Sequence, residues 1–334
     1  MTLRIAVVDA VLNEAVDQVH DRATQAGISL VAAGQDLDLR GANAVVVSHS
    51  SLTGAVLERG RPTLRHLQLL GRHFDHVDWR AARAMGLTIG HQPRKGAWTV
   101  AELVVTFILA LSKRLLEADE ATRTGAYRRL GIEPRPTSQR VHAFQWMKLP
   151  LREICGATIG FVGMGEIGAE AALRLQPFGA RLIYFKRTPL SPEAEHYLQA
   201  YYAPLHDVLA EAGYVVVAVP QTAETEGLIG RAAIETMRED AYLINVARGA
   251  VVDEDALVDA LLRRRIRGAA LDVFRQEPLP GDHPLTKLDN VVLTPHIGGG
   301  TGVTRAADLW GAVERARQAL STGEIAYPLA GGTL

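Results

Sequence analysis

Short apolar runs rich in β-branched residues alternate along this chain with stretches in which apolar positions recur every three to four residues. The runs "LRIAVVD" (3–9), "AVVVS" (44–48), "LQLLG" (67–71) and "LTIGH" (87–91) predict strands, with helical patterns between them. The alternation restarts at Ala157 with "ATIGFVG", "ARLIYF", "YVVVAVP", "AYLINVA", "GAALDVF" and "NVVLTPH". Those six candidates are the number in a complete dinucleotide-binding sheet. Strands separated by helices need crossover connections, which predicts an α/β protein with parallel sheets.

Between the two strand series the pattern changes. "TVAELVVTFILALSKRLLEA" (99–118) predicts one long helix, apolar around most of its girth and so buried at a domain or subunit boundary. Residues 125–150 carry Pro134, Pro136 and Pro150, which exclude a continuous helix and predict a long loop or arm. Trp98 and Trp146 flank this region, and plain packing accounts for both.

With 334 residues the chain is long for one core, so two domains are expected. A net charge of −1 offers no electrostatic case for nucleic acid or an anionic membrane. The densest basic run, Arg263–Arg265 with Arg267, ends a helical pattern and reads as a solvated helix end. Cys155 is the single cysteine, which excludes an intrachain disulfide and a cysteine metal cluster and suits a reducing cytoplasm. "MTLRIAVVDA" lacks the apolar core of a secretion signal, and no run approaches 18 apolar residues, so no membrane span is expected.

"FVGMGEIGAE" (161–170) contains Gly163, Gly165 and Gly168 in the spacing G-x-G-x-x-G. Such a spacing is weak by itself in a chain with 31 glycines. Here a strand pattern precedes it and an amphipathic helix pattern follows, ending at Gly179. In that setting Gly163 allows the tight turn, Gly165 lets the backbone approach a pyrophosphate, and Gly168 lets the helix pack on the strand. The strand "RLIYF" then ends where an NAD site places an acid for the ribose 2′-hydroxyl. Lys186, Arg187 and Thr188 stand there instead, and no Asp or Glu occurs before Glu193. Two cations and a hydroxyl suit a 2′-phosphate, so NADP is the expected cofactor, with NAD as the alternative in which both cations are merely solvated.

A nicotinamide enzyme needs a proton donor and acceptor near the hydride and a cation for an anionic substrate. Arg248 follows the strand 242–246, Asp272 ends "GAALD", Glu277 lies in the next loop, and His296 follows "VVLTP". Ligands of open parallel sheets bind at the carboxyl ends of strands, so these positions can converge. Taken singly, each could be a surface charge, a cap or a structural histidine.

"GMGEIG", "NVARGAVVDEDAL", "DVFRQEP" and "TPHIGGG", in this order and spacing, resemble the D-isomer-specific 2-hydroxyacid dehydrogenase family, in particular its glyoxylate/hydroxypyruvate reductase-like members. "VDWRAARAMGLTI" and "TVAEL" fit the family's first segment more weakly. The resemblance implies two Rossmann-like domains: a flavodoxin-like substrate domain of residues 1–98 and 295–334, and a dinucleotide-binding domain of 99–294 that includes a dimerisation helix and arm at 99–150. It implies a homodimer, hydride transfer between a nicotinamide cofactor and a 2-oxo or 2-hydroxy acid, and no metal. Arg248 would hold the substrate carboxylate, His296 would be the acid/base, Glu277 would bond His296, and Asp272 would hold the nicotinamide carboxamide. Met164, Glu166, Ile167, Pro220, Thr225 and Ala247 would join the glycines and Lys186–Thr188 around the cofactor.

The chain departs from the family where substrate is read. "GRHFDHVD" has Arg72 and His73 where small residues are common, and "GHQPRKGAWTVAE" has His91, Arg94 and Lys95 where Asn and small residues are usual. Gly299 stands where Ser is common, and the arm is longer. Arg72 and His73 are therefore candidate substrate contacts. The extra cations fit either a second anionic group on the substrate, or side chains that point to solvent or pair with Asp75, Asp78 and Glu102 around a glyoxylate-sized acid. A phosphite-type oxyanion dehydrogenase is a rival on the same fold, while Glu277 argues against a formate dehydrogenase. A non-catalytic NAD(H)-sensing co-regulator is the rival from another class.

Overall fold

The computed structural model describes residues 2–9, 12–34, 36–71, 77–92, 94–136, 146–299 and 305–325. The chain divides into two compact units, Met1–Thr99 with Gly299–Leu334, and Val100–Gly298.

In the first unit, β1 (Leu3–Val7), β2 (Ile28–Ala32), β3 (Ala44–Val47), β4 (His66–Leu70) and β5 (Thr88–Gln92) form a parallel sheet in the order β2-β1-β3-β4-β5. That order is the flavodoxin-like one. β3 and β4 are buried along their whole length, because helices cover both faces of the sheet. Helices Asn13–Gln25 and Arg305–Thr322 cover one face through Val16, Val19, Leu309 and Val313, so the end of the chain closes the core opened at its start. β2 escaped the strand pattern since it is an edge strand, and Ser29 and Ala32 point to solvent.

The second unit contains β6 (Thr158–Val162), β7 (Arg181–Phe185), β8 (Ala200–Tyr202), β9 (Tyr214–Val217), β10 (Tyr242–Asn245), β11 (Gly268–Leu271) and β12 (Val291–Leu293). All are parallel, in the order β12-β11-β10-β9-β6-β7-β8. The sheet has seven strands rather than the six expected. The extra one, β8, has three residues and two exposed tyrosines, too short and too wet for an apolar pattern. The order of connections reverses between β6 and β9, and this switch point is where the glycine-rich turn lies.

The expected helix 99–118 is two helices, Lys95–Ser112 and Leu115–Arg123. The break comes where the Ser112 carbonyl accepts the Arg152 N–H at 2.8 Å and Arg114 takes a left-handed conformation, φ 47°. The first helix has 18 residues and a mean hydropathy of 1.4, enough to cross a membrane by length and composition alone, although Lys95 and Glu102 interrupt its apolar run. Its Ala101, Val104, Phe107, Ile108 and Leu111 nevertheless pack into the second unit's core. Within the arm, Ala126–Leu130 forms a 3-10 turn, and Trp146 meets Tyr127 edge-on at 5.5 Å. The basic run follows the end of a helix, with Arg263 about half exposed, and it is also ion-paired, Arg263 with Glu235 at 2.9 Å and Arg265 with Glu235 at 2.8 Å.

Candidate active site

Two of the three glycines of the turn after β6 are required by the fold, and the third borders open space. Gly163 has φ +105°, and a Cβ there would lie 2.8 Å from the Ala218 carbonyl carbon, against the end of β9. A Cβ on Gly168 would lie 2.6 Å from the Gly163 carbonyl oxygen, so only glycine lets the helix Glu166–Leu175 start so close to the turn. At Gly165 nothing lies within 4 Å of the corresponding position, which leaves open space at the N-terminus of that helix. Among the described residues no side chain caps this helix, so its first N–H groups suit an anion. Met164 and Glu166 are buried at the turn, with Glu166 in the first helical turn where the dipole favours an acid, and Ile167 is half-buried.

The loop after β7 presents Lys186, half-buried, with Arg187 and Thr188 exposed. The loop after β9 carries Pro220 and Thr225. Here the Thr225 hydroxyl serves the loop itself, donating to the Pro220 carbonyl at 2.6 Å and accepting the Thr222 N–H at 2.8 Å. In the same loop the Glu224 carboxyl is held below its usual range, first by the Thr222 hydroxyl and also by the charge of Arg187. The open cradle at Gly165 and the uncapped helix fit the pyrophosphate of a nicotinamide dinucleotide.

At the ends of β10 and β11 two loops are locked together. Asn245 accepts the Ala247 N–H at 3.0 Å and donates to the Arg248 carbonyl at 3.1 Å, which turns the chain so that Ala247 is buried and Arg248 exposed. At Gly249 the backbone meets the next loop. A Cβ there would lie 1.9 Å from the Phe274 carbonyl carbon. This contact holds the Arg248 loop against the loop that carries Glu277. Glu277 Oε1 accepts the Phe274 N–H at 3.0 Å, and its Oε2 accepts His296 Nδ1 at 2.7 Å. Glu277 and His296 line a cavity of about 600 Å³ whose other walls include Phe274, Pro278, Leu279, Leu293 and Pro295.

Asp272, 2% exposed, organises the stretch that carries His296. Its Oδ1 accepts the Thr294 hydroxyl at 2.6 Å and the Ile297 N–H at 2.8 Å, and its Oδ2 accepts the Gly298 N–H at 2.9 Å. His296 sits at φ 55°, a left-handed conformation that a non-glycine residue holds only where its surroundings impose it. A Cβ on Gly298 would fall 2.9 Å from Asp272 Oδ2, so the glycine is needed for this cage. Asn245, Gly249, Thr294 and Gly298 shape the site, yet the sequence marked none of them. The only signal for the two glycines was their place in "ARGA" and "HIGGG".

Arg72 and His73 lie outside the described residues, as do Asp75 and His76. His91 is buried within β5. Lys95 and Arg94 face Asp308, which accepts the Lys95 N–H at 3.1 Å. Burial raises the Asp308 carboxyl above its usual range, opposed by that bond and by both cations. The charges of these two residues thus act on a carboxylate that was not anticipated, while Asp78 caps the helix Trp79–Ala84. Among the described residues no group of His, Cys, Asp and Glu is arranged to hold a metal ion.

Burial pushes the Glu277 carboxyl up, but the His296 and Phe274 hydrogen bonds and the charges of His296 and Arg248 outweigh it, leaving a value below the ordinary 4.5. A carboxyl lowered by folding stabilises the native state above its unfolded value, and that contribution is lost as pH falls through the folded value. Urea midpoints of the wild type and Glu277→Gln should therefore differ most above about pH 5 and converge as the pH falls through the lowered folded value. A gap independent of pH would show that the pair carries no such linkage.

Comparison with known proteins accords with this geometry. Residues 105–298, more than half of the chain, match the D-isomer specific 2-hydroxyacid dehydrogenase NAD binding domain. The chain is 38% identical over 257 residues to a glyoxylate reductase of Thermococcus gammatolerans, covering 77% of this chain and 73% of that one. A solved protein of Thermus thermophilus is 31% identical with a TM-score of 0.55, covering 98% of this chain and 100% of the other. An NADPH-dependent glyoxylate/hydroxypyruvate reductase of Sinorhizobium meliloti, solved with NADP and malonate, is 30% identical with a TM-score of 0.53, covering 99% and 97%. With the matched span running from the first helix of the second unit through His296 to Gly298, the chain belongs to the D-isomer specific 2-hydroxyacid dehydrogenase family and is an NAD(P)-dependent oxidoreductase.

Proposed function

We propose that this enzyme reduces a small 2-oxo acid, of glyoxylate or hydroxypyruvate size, to the D-2-hydroxy acid, with NADPH preferred over NADH. The observation that carries the reading is the 2.7 Å bond from His296 Nδ1 to Glu277 beside a loop that exposes Arg248. When bound, a nicotinamide cofactor would supply the hydride for the substrate's carbonyl carbon. Arg248 matches a carboxylate with two parallel N–H donors and keeps its charge at any working pH. His296, with Nδ1 engaged by Glu277, is left with Nε2 to give a proton to the carbonyl oxygen in reduction and to take one in oxidation. Glu277 fixes the ring's orientation and balances the charge it gains. Asp272 holds the loop of His296 with three of roughly four acceptor positions, leaving one for the carboxamide.

Three features support NADP: the cations Lys186 and Arg187, the missing acid before Glu193, and the NADP found in the Sinorhizobium relative. We expect wild-type kcat/KM to favour NADPH, and Lys186→Asp to move the ratio toward NADH by about tenfold or more, since a charge-assisted bond is lost and a repulsion gained. A wild-type preference for NADH would overturn this choice of cofactor. For the substrate, consumption of NADPH over a panel of 2-oxo acids is the test, and no turnover on any member would favour a sensing role. We further propose a homodimer, supported by Leu115 and Leu116 at 55% and 57% exposure beside the long helix, and a cytoplasmic location, supported by the single cysteine. A small anionic substrate, with neither nucleic acid nor membrane as a partner, accords with the net charge of −1.

A further inference from the structure

The loop that carries Lys186, Arg187 and Thr188 is tied at both ends. At its start, the Phe185 carbonyl accepts the Gly163 N–H at 2.9 Å, which joins it to the glycine turn. At its far end, the Leu190 N–H donates to the hydroxyl of Tyr184 at 2.8 Å. Tyr184 is on β7, fully buried, and its hydroxyl donates in turn to Glu195 Oε1 at 2.9 Å. The same Glu195 oxygen accepts the Tyr202 N–H from β8 at 2.8 Å. Burial, the largest influence, pushes the Tyr184 hydroxyl above the ordinary phenol range, so it remains a donor.

A buried phenol costs free energy unless its hydroxyl is paired, and phenylalanine would fill the same volume without that demand. Here the hydroxyl is paired on both sides, and one of its partners is the backbone of the loop that would meet the 2′-phosphate. Only four residues, 186–189, separate the two tied points, so their conformations are few. Holding two cations and a hydroxyl in place before the anion arrives removes much of the ordering cost of binding. NADH and NADPH share the adenosine and pyrophosphate contacts, so a loosened loop penalises only the cofactor that uses its cations.

We propose that Tyr184, acting with Glu195, is a positioning residue that sets the 186–188 loop for an adenosine 2′-phosphate and so tunes selectivity between NADP and NAD. This rests on the NADP reading above. The test is steady-state kinetics with each cofactor. Tyr184→Phe should raise KM for NADPH about fivefold, the scale of one buried hydrogen bond, while KM for NADH stays within about twofold and kcat is unchanged with either. Glu195→Ala should reproduce this pattern. Glu195→Gln retains a carbonyl oxygen for Tyr184 and Tyr202 and should restore the wild-type ratio. If Tyr184→Phe does not fold, the two Glu195 variants carry the comparison. Equal KM changes for both cofactors, or none, in folded variants of an NADPH-preferring wild type would overturn the proposal and leave the NADP reading intact. A wild type without NADPH preference would overturn both.

Discussion

Replacing His296 with alanine is expected to lower kcat about 100-fold or more, the scale of general acid–base catalysis, while NADPH still binds. The imidazole hangs on a backbone fixed by three bonds to Asp272, and its ring is fixed by the 2.7 Å bond to Glu277. Truncation to Cβ removes the proton donor without disturbing that cage, since the cage is made by the Thr294 side chain and the Ile297 and Gly298 backbone. The pyrophosphate cradle proposed at Gly165 is carried by another loop, so cofactor affinity should move by less than about twofold. Single-turnover kinetics and a fluorescence titration of NADPH separate the two effects. Near-wild-type turnover in the variant would remove His296 from the chemistry.

Gly249→Ala is expected to be the most damaging single-methyl change in the second unit. The added Cβ would lie 1.9 Å from the Phe274 carbonyl carbon, 2.0 Å from its oxygen and 2.3 Å from the Arg275 nitrogen. All three atoms are backbone, so no rotamer can relieve the overlap, and two loops must part. Overpacking ordinarily costs 1–3 kcal/mol, and a clash confined to backbone belongs at or above the top of that range, about 3 kcal/mol. For a unit of this size that corresponds to a fall in Tm of roughly 6–12 °C. The parting also carries Arg248 away from Glu277, so kcat/KM should fall by more than the loss of folded protein explains. Thermal melts beside kinetics at low temperature measure both. A variant with unchanged Tm would mean that the two loops are less tightly apposed than the structure has them.

Much of this architecture is visible in local pattern. Strand runs, the turn with three glycines and the helix behind it are each decided within about ten residues, by side-chain periodicity and by backbone conformations that only glycine takes readily. What the pattern missed was decided elsewhere. β2 and β8 are edge strands, whose half-exposed residues lack the apolar signature and which exist because a neighbour offers hydrogen bonds. The helix expected over 99–118 breaks at Arg114 because Arg152, far along the chain, takes the carbonyl of Ser112.

The candidate site divides in the same way. The sequence by itself determined which chemical groups are available: a guanidinium at 248, carboxylates at 272 and 277, an imidazole at 296, cations at 186 and 187, and a glycine-rich turn at 163–168. It determined that each follows a strand, because strand and turn signals are local. Only the tertiary structure decided that Asp272 spends three acceptor positions on the loop of His296, that Gly249 brings the Arg248 and Glu277 loops into contact, and that Tyr184 holds the end of the 186–190 loop. The physical reason is range. Propensity and periodicity act between residues a turn or two apart, whereas a buried carboxylate or phenol finds partners wherever packing brings an N–H within 3 Å, here 22 to 26 residues away for Asp272.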